Sequence, residues 1–81
     1  MRVKILFFAT LRDRAGTKSI ELEILEDMTV QGLKDKISAD YPNLKQSMET
    51  VLIAINREYA FDNAVVPQNA EVAMFPPVSG G

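Results

Sequence analysis

The hydrophobic period of this chain changes twice, and those changes dictate what it can fold into. Val3, Ile5 and Phe7 alternate with Lys4, Leu6 and Phe8, so residues 3–8 read as a strand with the first three on one face. Residues 18–24 alternate again, with Ile20, Leu22 and Ile24 opposite Ser19, Glu21 and Glu23. The polar run Arg12-Asp13-Arg14-Ala15-Gly16-Thr17 between them reads as the turn of a hairpin. After Glu26-Asp27 the period lengthens: Val30, Leu33, Ile37 and Tyr41 mark one amphipathic helix. Thr29 suits its N-cap, Met28 can staple onto Leu33, and Pro42 stops it just after Tyr41. Leu44–Glu49 adds a further turn or short helix. The apolar run Val51–Ile55 then has the length and β-branching of a central strand. Asn56-Arg57-Glu58 reads as a turn, Tyr59-Ala60-Phe61 as a short strand and Glu71–Phe75 as the last strand. Pro76-Pro77 ends that strand, because neither residue can donate to a ladder. In the turn Pro67-Gln68-Asn69-Ala70, Asn69 is the residue suited to a left-handed conformation.

Two strands, one helix and two or three further strands predict an α+β domain, a mixed sheet with one main helix packed on one face. The terminal strand is expected beside the first and parallel to it. The expected core is Val3, Ile5, Phe7, Ile20, Leu22, Leu33, Ile37, Ile53, Ile55, Val72 and Met74. One helix covers only one sheet face. Phe8 and Phe75 therefore point outward as an exposed apolar patch, with Leu6, Leu52 and Ala54 around it and Arg12 at its edge. An exposed aromatic patch marks a partner surface.

Composition closes many functional classes. The 81 residues contain no Cys and no His, so thiolate metal sites, catalytic thiols and the usual neutral-pH base are all missing. No metal site is expected. Nine Lys and Arg against eleven Asp and Glu give a net charge of −2, the wrong sign for a nucleic-acid partner. No apolar run approaches the ~18 residues of a membrane span, and a cytoplasmic location is expected. Glu21/Glu23 and Glu26/Asp27 are carboxylate pairs without a partner to tune them, and read as solvated surface. Arg12, Arg14 and Lys18 cluster in the turn, either to meet an acidic partner or to keep the turn solvated.

The C-terminus carries the chemistry. Phe75-Pro76-Pro77-Val78-Ser79-Gly80-Gly81 divides the chain into a domain over 1–75 and an extended tail over 76–81, with Gly81 expected as the terminal residue. Paired prolines favour polyproline II and stiffen the tail, which spans up to ~20 Å at ~3.3 Å per residue. Two glycines thread a narrow channel and leave the last carbonyl unhindered. An ionised carboxylate is a poor electrophile and must be activated before acyl chemistry, most simply as an acyl-adenylate. A chain without Cys, His or a phosphate-binding loop does not perform that step. It is the carried group.

These residues resemble a family: the ubiquitin-like, β-grasp sulfur-carrying small subunits of molybdopterin synthase. The matching segments are Leu6-Phe7-Phe8-Ala9 with Leu11-Arg12 and Gly16, Thr29-Val30, Ala54-Ile55-Asn56, Glu71-Val72-Ala73 and the whole ending Phe75–Gly81. Gln68-Asn69-Ala70 departs from the Asp-Gly-Asp usual there. The resemblance implies a carrier that is not catalytic alone and binds no cofactor. A ubiquitin-activating-type enzyme, using ATP with magnesium, adenylates Gly81, and sulfur then converts it to a thiocarboxylate. Pro76, Pro77, Val78, Ser79 and Gly80 enter the active site of the large subunit, where the sulfur goes to cyclic pyranopterin monophosphate. It further implies a heterotetramer with the large subunit, and the partner-binding surface expected on the open face is Phe8, Arg12, Tyr59 and Phe75. Three alternatives remain open at this point: a ubiquitin-like protein modifier, a sulfur carrier for thiamine or tRNA thiolation, and an interaction module with an inert tail.

Overall fold

A computed structural model describes residues 1–77; Val78, Ser79, Gly80 and Gly81 lie outside the described residues. The elements run β1 (Arg2–Phe7), α1 (Thr10–Ala15), β2 (Ser19–Glu23), α2 (Val30–Asp40), two 3-10 turns (Pro42–Leu44 and Ser47–Glu49), β3 (Leu52–Ile55), β4 (Glu58–Tyr59) and β5 (Glu71–Phe75). The strands form one sheet in the order β2-β1-β5-β3-β4. As the alternation predicts, β5 is parallel to β1, with Ile5 opposite Val72 and Phe7 opposite Met74, while the other pairs are antiparallel. None of the helices among the described residues is long and apolar enough to cross a membrane.

The register is the expected one. Val3, Ile5, Phe7, Ile53, Val72 and Met74 are buried in one cluster with Leu33 and Ile37 of the helix. Ile20, Leu22 and Ile55 pack against that cluster only half-buried, in place of the full burial expected of them. Ile20 and Leu22 lie on β2, an edge strand with a neighbour on one side only. The core gains instead from residues the period did not single out: Leu11, Leu44, Met48, Val51, Val66 and Ala70 are all buried.

Helix α2 starts where its cap requires. The Thr29 side chain accepts the Gly32 N–H at 3.2 Å, and the Val30 and Gln31 N–H groups donate to Ala64 O at 2.8 Å and Asp62 O at 2.9 Å. The first three helix amides, which lack partners within any α-helix, are thus all satisfied, two of them by a loop more than thirty residues on. The helix ends at Asp40, with Tyr41 as its C-cap. Lys34 falls outside the apolar positions of the helical period and would be expected in solvent, yet it is buried, with Nζ 2.6 Å from Asp62 Oδ1. Asn56 and Arg57 both take positive φ (49° and 74°) in the two-residue turn between β3 and β4, as right-handed strand twist favours. That strand covers Glu58–Tyr59 and not residues 59–61. Asn69 takes the expected left-handed conformation at φ 59°, so this turn closes without the family's usual glycine.

Arg12–Thr17 is not a simple turn. Thr10–Ala15 form the short helix α1, closed by Gly16 at φ 75°, whose N–H donates to Arg12 O at 3.0 Å. Leu11 drives it, burying its side chain four residues before Ala15, which also packs on the core. Ile5 sits at the centre of the structure, fully buried and flanked by β2 and β5. Ile5→Ala should lower unfolding stability by about 2–5 kcal/mol, measured by denaturant titration; a loss below about 1 kcal/mol would contradict this core.

Candidate functional site

The sheet face turned away from α2 is graded along the strands. Pairing places Lys4 between Glu21 and Glu71, a charged row. The next outward row is Ser19, Leu6, Ala73, Ala54 and Tyr59. Beyond it Phe8 stacks on Phe75, ring centroids 4.7 Å apart and 15° between planes, with Leu52 opposite Phe75. Because β1 and β5 are parallel, the apolar end of the face is also the end from which the chain leaves toward Pro76. Phe8 lies one residue past β1, yet its N–H donates to Met74 O at 3.2 Å and keeps it in sheet register.

The patch is open. Phe8 is 41% exposed and Tyr59 77% exposed, so Tyr59 does not fold over the aromatic pair. Small side chains at Ala54 and Ala73 leave a depression of about 360 Å³ bordered by Leu6, Phe8, Phe75, Tyr59 and Arg57. Arg12 borders a second recess on the other side of Phe8, with Leu6 and Lys18. The structure therefore brings together Phe8, Arg12, Tyr59 and Phe75, the four residues singled out as a partner surface.

Backbone strain positions this group. Ala9 has φ 54° and ψ −129°, a conformation that glycine occupies at the start of a type II′ turn. The Leu11 N–H closes that turn on Phe8 O at 3.1 Å. The chain reverses there, buries Leu11 and carries Arg12 back beside Phe8. Sequence reasoning missed this helix; the four-residue spacing of Leu11 and Ala15 before Gly16 was its one signal.

At the base of the tail, Pro76 and Pro77 border a recess of about 320 Å³ with Thr10, Arg14, Ser47 and Thr50. Arg14 Nη1 donates to Ser47 Oγ at 2.7 Å, which ties α1 to the second 3-10 turn. Arg14 thus has an internal partner. The assignments made to Val78, Ser79, Gly80 and Gly81 lie outside the described residues. Among the described residues, Asp and Glu nowhere gather in a group of three fit to hold a metal ion. Glu23 titrates below the usual carboxylate range because the Arg2 guanidinium bonds it at 3.1 Å. It stands on the edge strand at the charged end, away from the patch.

Comparison with known proteins agrees with this geometry. The ThiS family matches residues 5–81. The molybdopterin synthase sulfur carrier subunit of Arabidopsis thaliana is 33% identical over 81 residues, covering 100% of this chain and 84% of the relative. Among solved structures, the putative molybdopterin converting factor subunit 1 of Pyrococcus furiosus superposes with a TM-score of 0.87 at 27% identity, covering 96% of this chain and 99% of that one. A chain in the complex of subunits 1 and 2 of the Helicobacter pylori molybdopterin-converting factor gives a TM-score of 0.71 at 21% identity, covering 100% of each chain, a likeness of fold alone. The five-stranded mixed sheet over one long helix is the ubiquitin-like β-grasp.

Ala9→Gly tests the strained turn. Relief at positive φ should outweigh the added freedom of the unfolded chain and raise stability by about 0.5–1 kcal/mol. Denaturant midpoints of the two proteins measure it, and destabilisation would show that the turn is not strained.

Proposed function

The chain belongs to the ThiS family, and from that membership we propose that it is the sulfur carrier subunit of a molybdopterin synthase. The observation that carries this reading is the shared end of the sheet: the open aromatic patch and the departure of the tail lie side by side. A partner seated on Phe8 and Phe75, with Arg12 and Tyr59 at the margin, receives residues 76–81 directly beside the contact. The large synthase subunit is that partner, in a heterotetramer of two small and two large chains.

The carrier has no catalytic group of its own, and its chemistry follows from Gly81. A carboxylate oxygen of Gly81 attacks the α-phosphorus of ATP in a separate, magnesium-dependent adenylating enzyme, and pyrophosphate leaves. A sulfide-level nucleophile then displaces AMP and yields the thiocarboxylate. Its sulfur attacks an oxygen-bearing side-chain carbon of cyclic pyranopterin monophosphate in the large subunit, the carbon–oxygen bond breaks as the carbon–sulfur bond forms, and hydrolysis at the acyl carbon returns the carboxylate. A dithiolene holds two sulfurs, so each product requires two deliveries. Pro76, Pro77, Val78 and Ser79 guide the tail, and Gly80 and Gly81 pass where a Cβ would not.

Reconstitution with the adenylating enzyme, a sulfur source, the large subunit and the pterin precursor tests the reading. One residue added beyond Gly81 turns the carboxylate into an amide and should abolish dithiolene formation without altering thermal unfolding. Undiminished product from the extended chain, with no trimming, would falsify the carrier mechanism. In the same system Phe75→Ser should weaken binding to the large subunit by about tenfold or more, with the fold retained. Loss of folding with no separable binding defect would contradict the docking role of the patch.

A further inference from the structure

The margin of the aromatic patch is charged against the trend of the chain. The two recesses flanking Phe8 are lined by four cations, Lys4, Arg12, Lys18 and Arg57, and by one carboxylate, Glu71. That is a net +3 around the patch in a protein whose net charge is −2. Lys4 is balanced in its row, standing between Glu21 and Glu71. Arg12, Lys18 and Arg57 are not: all three are exposed, and none makes an ion pair among the described residues. Arg2, Lys34 and Lys36, by contrast, each hold a carboxylate within 4.0 Å. The unpaired cations also fall on both sides of the stack, Arg12 and Lys18 toward β2 and Arg57 toward β4.

We infer that this surface is built for an acidic partner: an apolar projection that covers Phe8 and Phe75, with carboxylates on either side facing Lys18 with Arg12, and Arg57. The inference rests on the proposed assembly with the large subunit and assigns the chemistry of that subunit's contact face. Charges at such a margin act mainly on encounter. They raise the association rate by long-range attraction and orient the partner, while the desolvated apolar centre governs dissociation. Arg12, Lys18 and Arg57 flank the end of the face that holds Phe8 and Phe75, and so orient the acidic partner toward that end. The tail is thereby presented to the correct side of the incoming subunit.

Association kinetics with the purified cognate large subunit test this. Raising salt from about 0.01 M to about 1 M shortens the screening length from about 30 Å to about 3 Å, and the association rate should fall by about tenfold or more. Lys18→Glu and Arg57→Glu should each slow association several-fold at low salt and flatten its salt dependence, with dissociation changed by less than about twofold. Phe75→Ser should instead speed dissociation and leave the salt dependence intact. Both charge-reversed residues are exposed, and unchanged thermal unfolding confirms the fold. Association insensitive to salt and to both reversals would overturn the acidic-partner inference alone. No association of the unaltered chain at any salt would overturn it together with the assembly on which it rests.

Discussion

The parallel pairing of β1 with β5 fixes both faces of the sheet and the place where the chain leaves it. It joins strands that are sixty-four residues apart at Phe7 and Glu71, and it does three things at once. It sets Ile5 against Val72 and Phe7 against Met74, which fills the core from the sheet side. By the same alternation it sets Leu6 beside Ala73 and Phe8 beside Phe75 on the outside. And it makes both strands end on the same side, so that the aromatic stack and the start of the tail coincide. A shift of one residue would exchange the two faces, burying Phe8 and exposing Phe7. Core and surface are thus two readings of one register.

The open face carries a cost that a domain this small has reason to avoid. A stacked, half-exposed aromatic pair leaves apolar area in water that folding alone would favour covering. Strain at Ala9 adds to it, since that backbone conformation disfavours any residue with a Cβ. Both costs converge on the end of the sheet that presents the tail. The fold remains stable because the opposite face is fully used: Val3, Ile5, Val72 and Met74 meet Leu33 and Ile37 with almost no exposed area.

Much of this was legible in the sequence because it rests on side-chain period. The alternations of residues 3–8 and 71–75 predict inner and outer faces correctly, and the helical spacing of Val30, Leu33 and Ile37 predicts the covering layer. What was not legible depends on partners remote in sequence. Lys34 looks solvated on a helical wheel and is buried because Asp62, twenty-eight residues on, receives its charge. The loop that bonds the first amides of α2 does so through its own backbone, which leaves no trace in side-chain pattern. Helix α1 has six residues, too few to stand alone. It exists because Leu11 finds the core. The outward placement of Phe8 and Phe75 was readable from alternation, whereas Arg14 was drawn to Ser47 by a turn whose position no local signal fixes.

Under the proposed carrier cycle, the folded domain only presents what Gly81 carries. Intact mass of the chain isolated from cells with and without the sulfuration machinery tests this most directly. The expected result is a shift equal to one oxygen-for-sulfur exchange, present only with that machinery and confined to the peptide that contains Gly81. An unshifted mass in both backgrounds, or larger species joined through Gly81 to lysines of other proteins, would contradict it.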